Sequence, residues 1–112
     1  MQMQTAETRT KKRSSRLAQL IRIYESGQVS ELMDRTLDKL FSVEAAEARK
    51  DIEDLRADLL RFETRFGMES EEFYNRFEAG EMGDDGDYIE WASFFDMYRN
   101  AQGRLAALSD EV

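Results

Sequence analysis

The stretch 31–66, ELMDRTLDKLFSVEAAEARKDIEDLRADLLRFETRF, runs for thirty-six residues without a glycine or a proline. Met33, Leu37, Phe41, Ala45, Ala48, Ile52, Leu55, Leu59, Phe62 and Phe66 recur in steps of four and three. Nine steps cover thirty-three residues, a mean of 3.67, which an α-helix satisfies without a break. Ser30 stands where an N-cap belongs and Gly67 where a helix stops. The reading is one long helix of about 54 Å, with Ser42-Val43 as the point where it is open to bending.

From Phe41 onward the steps alternate strictly, four then three, as in a coiled coil. Ala45, Ile52, Leu59 and Phe66 then occupy a, and Phe41, Ala48, Leu55 and Phe62 occupy d. In a parallel homodimer through this 41–66 seam, Glu44 would meet Arg49 and Asp51 would meet Arg56. The alternative is that the seam packs on the chain's own last helix, and that alternative is preferred.

Past Gly67, the segment GMESEEFYNRFEAG at 67–80 reads as turn, short helix, turn, with Phe73 and Phe77 four apart on one face. The last helix opens near Asp87, which with Glu90 fits a capping box. Trp91, Phe94, Tyr98, Ala101, Leu105 and Leu108 then repeat in steps of three and four. A first helix is expected at about 15–26, capped by Ser14 or Ser15, with Leu17, Leu20, Ile21 and Tyr24 on one face and Gly27 at its end. The fold class is all-α: a helical hairpin or small bundle. It has one long central helix, a short connecting helix and an antiparallel C-terminal helix.

Composition narrows function. The 112 residues contain no cysteine, histidine or proline, and 36% are charged. Disulfides, thiolate metal sites, imidazole ligands and the usual nucleophile–base triads are excluded, so no catalytic, metal or cofactor-binding residue is assigned and no enzyme is expected. No apolar run is long enough for a membrane span, and no signal-peptide core follows the basic start, so a cytoplasmic protein is the expectation. The net charge of −8 is uneven: residues 1–16 carry +4 from Arg9, Lys11, Lys12, Arg13 and Arg16 against Glu7, leaving −12 on the rest. Residues 1–13 read as a disordered basic arm and 14–112 as a single helical domain. The arm is either a solvated tail or a segment that lies along nucleic-acid phosphates.

The acidic turn EAGEMGDDGDYIEW at 78–91 invites a metal reading, but an EF-hand loop needs glycine sixth and glutamate twelfth. Counted from Asp84, glycine falls third and position twelve is Phe95. Helix capping is the better account, since acids are stabilised at the positive end of a helix.

The segment 61–105 carries an ordered set of motifs: Phe62-Glu63, Gly67-Met68, Glu71-Glu72, Phe73-Tyr74, Glu78 to Gly80, Gly83 to Asp85, Asp87, Glu90-Trp91 and Met97-Tyr98. In this it resembles a family of small helical prokaryotic proteins, the antitoxin-like partners of small toxins in two-gene toxin–antitoxin modules. The chain departs from that pattern at Glu69, where a capping serine is usual, and in the basic arm. The resemblance implies a non-enzymatic protein-binding module that neutralises a cognate toxin. Aromatic side chains make good interface anchors, and Phe73, Phe77, Trp91, Phe95 and Tyr98 are the candidates for the partner-binding face. Of these, Phe73, Phe77 and Phe95 lie off the main seams and are expected to be the exposed ones. Two other readings stay open: a nucleic-acid-associated helical protein using the basic arm, and a self-associating coiled-coil scaffold.

Overall fold

The computed structural model describes residues 6–109, with side chains from residue 8 onward. Among these residues there are four helices and no strand: α1 (Ala6–Glu25), α2 (Glu31–Phe66), α3 (Ser70–Glu78) and α4 (Gly86–Leu108). None is long and apolar enough to cross a membrane. The chain divides into two compact units, Met1–Lys39 and Leu40–Val112, the division falling inside α2.

The first unit contains α1, its turn and the start of α2. Gly27, at φ 74°, ends α1 in the left-handed conformation that glycine adopts without steric cost. The Gln28 N–H then donates to the Ile23 carbonyl at 3.1 Å. Ser30 caps α2 as its sequence position suggests, its Oγ accepting the Met33 N–H at 3.0 Å. The Tyr24 hydroxyl donates to Asp34 Oδ1 at 3.0 Å, joining the last turn of α1 to the first turn of α2.

The beginning of α1 corrects the sequence reading. The helix starts at Ala6, not near 15, so Arg9, Lys11, Lys12 and Arg13 are helical and not part of a disordered arm. Residues 1–5 of that arm lie outside the described residues. The physical reason is propensity. Residues 6–16 lack apolar periodicity, but arginine, lysine, glutamate and alanine are good helix formers, and no glycine or proline interrupts them. Once the amphipathic turns at 17–24 have nucleated, extending the helix backward costs little.

In the second unit α2 continues without interruption through Ser42 to Phe66. Gly67, at φ 65°, terminates it, and the Gly67 and Met68 N–H groups both donate to the Glu63 carbonyl, at 2.9 and 3.3 Å. The last helix folds back along α2. Arg65 pairs with Asp87 at 3.0 Å, Arg56 Nη2 donates to the Tyr98 hydroxyl at 3.3 Å, and Arg104 pairs with Asp51 at 2.9 Å. Partners fall in number along α2 as they rise along α4, so the two helices are antiparallel.

The heptad seam packs against the chain's own later helices. Leu59 is buried beneath α3 and α4, and Ala45 and Ala48 are also buried. Asp51 and Arg56, the charges that would have bridged a parallel homodimer, are instead engaged by Arg104 and Tyr98 of their own chain. The alternation of fours and threes therefore encodes an intramolecular hairpin over most of its length, with Phe41 left half-exposed at its start.

The core is aromatic. Leu59, Phe73, Trp91, Ala92 and Phe95 form its buried centre, surrounded by Phe62, Phe66, Tyr74, Phe77, Tyr88, Phe94 and Tyr98. Trp91 is fully buried and stacks on Phe73 with 3.8 Å between centroids, on Phe66 at 5.5 Å and on Phe62 at 5.7 Å. Helices α2 and α3 thus both converge on one indole of α4.

Candidate functional site

The acidic turn at 78–91 is explained by local structure. Helix α4 is capped by Asp85, whose Oδ1 accepts the Asp87 N–H at 2.8 Å. Asp87 is therefore not the cap. Because Gly86 serves as the first helical residue, the helix begins earlier than the capping-box reading allows, and Asp87 becomes a second-position acid free to pair with Arg65. Negative charge at that position is stabilised by the helix dipole, whichever aspartate caps.

The start of α3 depends on a longer-range contact. Glu69 occupies the N-cap position but makes no side-chain capping bond. The orphan N–H of Ser70 is bound instead by Glu63 Oε2 at 2.8 Å, from the last turn of α2. One residue, Glu63, thus terminates α2 through its carbonyl and initiates α3 through its carboxylate. Ser70 is itself buried, and its Oγ accepts the Trp91 Nε1–H at 3.0 Å. That bond satisfies the only polar atom of the central indole, which burial would otherwise penalise.

The five aromatics assigned to a partner-binding face are distributed differently from that assignment. Phe73 and Trp91 are 0% exposed and Phe95 is 8% exposed; Phe77 and Tyr98 are half-buried. The expectation that Phe73 and Phe95 would be exposed is corrected, and the cause is α3. A simple hairpin gives α4 one neighbour, whereas here it has two. Phe94 meets α2 through Phe62, at 5.9 Å between centroids, while Phe95 meets α3 through Tyr74 at 5.0 Å. Phe73 and Phe77 lie 5.6 Å apart on α3, with Phe73 turned onto Trp91. These residues build the body.

Two tyrosine hydroxyls, one in each unit, are held by carboxylates. The Tyr74 hydroxyl donates to Asp96 Oδ1 at 2.7 Å. That hydrogen bond, then partial loss of hydration and the nearby Glu78, push its pKa up to about 12. Tyr24 in the first unit is also raised, by loss of hydration first and then by its bond to Asp34.

The surface offers two features. Arg9, Lys11, Lys12, Arg13 and Arg16 are all exposed along α1. Large apolar side chains are exposed as well, and seven of the ten lie between residues 17 and 43: Leu17, Ile21, Tyr24, Leu32, Leu40, Phe41 and Val43. Among the described side chains from Thr8 to Glu44 none is buried. On α1, Leu17, Ile21 and Tyr24 fall at i, i+4 and i+7, one stripe of the helix. The apolar periodicity of 17–24 was legible as an amphipathic face, but nothing in the sequence told that Leu17, Ile21 and Tyr24 would stay exposed while Leu20 is half-buried.

The geometry defines a small all-α protein with an aromatic core and an amphipathic helix that half-buries Leu20 and Ile23 and leaves Leu17, Ile21 and Tyr24 exposed. Comparison with protein-family models, curated proteins and solved structures gives no match for the chain.

Proposed function

We propose that the chain is a non-enzymatic protein-binding module, and that its partner docks on the apolar stripe of α1 formed by Leu17, Ile21 and Tyr24. One observation carries this reading: Leu17 is 61% and Ile21 57% exposed, on a helix with no buried side chain among those described. A helix of this length owes most of its stability to packing of its apolar face, so such a face is complete only when something covers it. In the body, by contrast, every aromatic but Phe41 is buried or half-buried. Residues 40–112 carry a net charge of −11, which steers a basic partner toward the molecule and repels acidic ones.

The motif order over 61–105 supports the antitoxin-like form of this reading, in which the partner is the small toxin encoded by the adjacent gene and the pair acts in the cytoplasm. The test is co-expression with that gene. The full chain rescues growth and co-purifies with the product. The double substitution Leu17→Ser with Ile21→Ser weakens binding by about thirtyfold, the loss typical of a central apolar anchor, while the melting transition of the body is unchanged. A neighbouring product that is not toxic, or that the full chain does not bind, overturns the antitoxin reading. Unimpaired binding by the double variant overturns the docking surface.

A further inference from the structure

We infer that the N-terminal half of α1 is a nucleic-acid-binding face that grips the phosphate backbone of a double helix. The inference does not rest on the protein-binding reading, because it concerns other residues of the helix. Arg9, Lys12, Arg13 and Arg16 stand at i, i+3, i+4 and i+7, which at 100° per residue places them within an arc of about 100°. Lys11 points about 150° away from the centre of that arc, and the Leu17–Ile21–Tyr24 stripe about 100° away. Arg9, Lys12, Arg13 and Arg16 form a basic stripe, all four are exposed, and no ion pair engages any of them among the described residues.

Such an arrangement works against the free helix. Like charges at i, i+3 and i, i+4 repel one another, and cations near an N-terminus oppose the helix dipole. A polyanion laid along the stripe reverses both terms, since it neutralises the cations and meets the positive end of the helix. The unequal charge of the chain acts in the same direction. With +4 on residues 1–16 and −12 on the rest, a polyanion is attracted to the start of the chain and repelled by the acidic remainder.

An anionic membrane surface would also attract these charges. It is disfavoured because residues 6–16, AETRTKKRSSR, contain no apolar side chain larger than alanine. A helix lying in a bilayer interface needs an apolar face along the same turns as its bases. Phosphate contacts need only the bases.

The test is fluorescence anisotropy of the full-length chain with a labelled 30-base-pair duplex of mixed sequence, titrated at potassium chloride concentrations from 50 to 200 mM. Four phosphate contacts give a log–log salt slope of about −3.6, so affinity falls roughly 150-fold across that range. Arg13→Gln flattens the slope to about −2.7, whereas Lys11→Gln leaves it unchanged, because only the former lies on the stripe. The quadruple variant Arg9→Gln, Lys12→Gln, Arg13→Gln, Arg16→Gln loses the binding and keeps the melting transition of the body. Equal flattening by Lys11→Gln and Arg13→Gln would show that loose charge acts without a helical face, and would overturn the inference. So would absence of duplex binding at 50 mM salt, whether or not the chain then binds phosphatidylglycerol vesicles. Self-association that the quadruple variant abolishes, without any duplex binding, would assign the stripe to a second copy instead.

Discussion

Replacing Ser70 by alanine isolates the bond at the centre of the body. Ser70 is 3% exposed and Trp91 fully buried, so once the hydroxyl is gone no water replaces it at the indole N–H. Leaving a buried donor unsatisfied costs about 1–3 kcal/mol. Alanine returns up to about 0.5 kcal/mol of helix propensity at this first-turn position. The backbone N–H of residue 70 keeps its bond to Glu63, because that bond does not involve the side chain. The net loss is about 0.5–2.5 kcal/mol, which in a unit of this size lowers the melting temperature by roughly 2–20 °C. The assay is a double-mutant cycle followed by circular dichroism. In a Trp91→Phe background the donor is absent, so Ser70→Ala costs little there, and the coupling between the two positions exceeds 0.5 kcal/mol. An identical loss in both backgrounds would refute the claim that Ser70 acts by satisfying the indole.

Three further substitutions test other parts of the fold. Leu59→Ala removes a buried side chain from the middle of the α2 contact and costs about 2–5 kcal/mol in denaturant unfolding; an unchanged midpoint would remove Leu59 from the core. Asp85→Ala costs about 0.5–2 kcal/mol through loss of the cap, whereas Asp87→Ala costs less, since its pair with Arg65 is half-exposed; the reverse order in thermal melts would restore Asp87 as the cap. Tyr74, held un-ionised by Asp96, ionises near pH 12, while the ordinary phenol ionises near 10. Because its pKa is raised on folding, its contribution to stability is fully present below about pH 10 and is lost as pH rises toward 12. Absorbance at 295 nm therefore retains a late component that disappears in Tyr74→Phe and moves to lower pH in Asp96→Asn; a late component that survives Tyr74→Phe would contradict the assignment.

The parts of the fold that were legible in the sequence are those governed by local chemistry. The span of α2 follows from thirty-six residues free of glycine and proline, bounded by Ser30 and Gly67, and both bounds act as capping chemistry requires. The antiparallel return of α4 follows from the two matching apolar seams. The unread parts depend on residues distant in sequence. Phe95 looked spare because the position of α3 against α4 is not a local property, and its contact with Tyr74 spans two helices. The Ser70 hydroxyl serves Trp91, twenty-one residues away, while the Glu63 carboxylate binds the Ser70 N–H at the start of α3. The N-terminal half of α1 was missed for a different reason. Apolar periodicity marks helices that bury a face, and this half has no apolar face to mark. Its helicity rests on propensity and on continuation from the turns that follow. The candidate partner surface moved for the same reasons: once α3 encloses Phe73 and Phe95, the exposed apolar residues that remain are concentrated at 17–43.

The most direct test of the account is hydrogen–deuterium exchange of the full chain, alone and with the product of the adjacent gene. The amides of residues 17–25 in α1 exchange readily in the free chain and gain protection in the complex, while those of α3 and α4 around Phe73, Trp91 and Phe95 are protected in both. Protection gained across α3 and α4, with residues 17–25 exchanging as in the free chain, would contradict it and return the partner to the aromatic body.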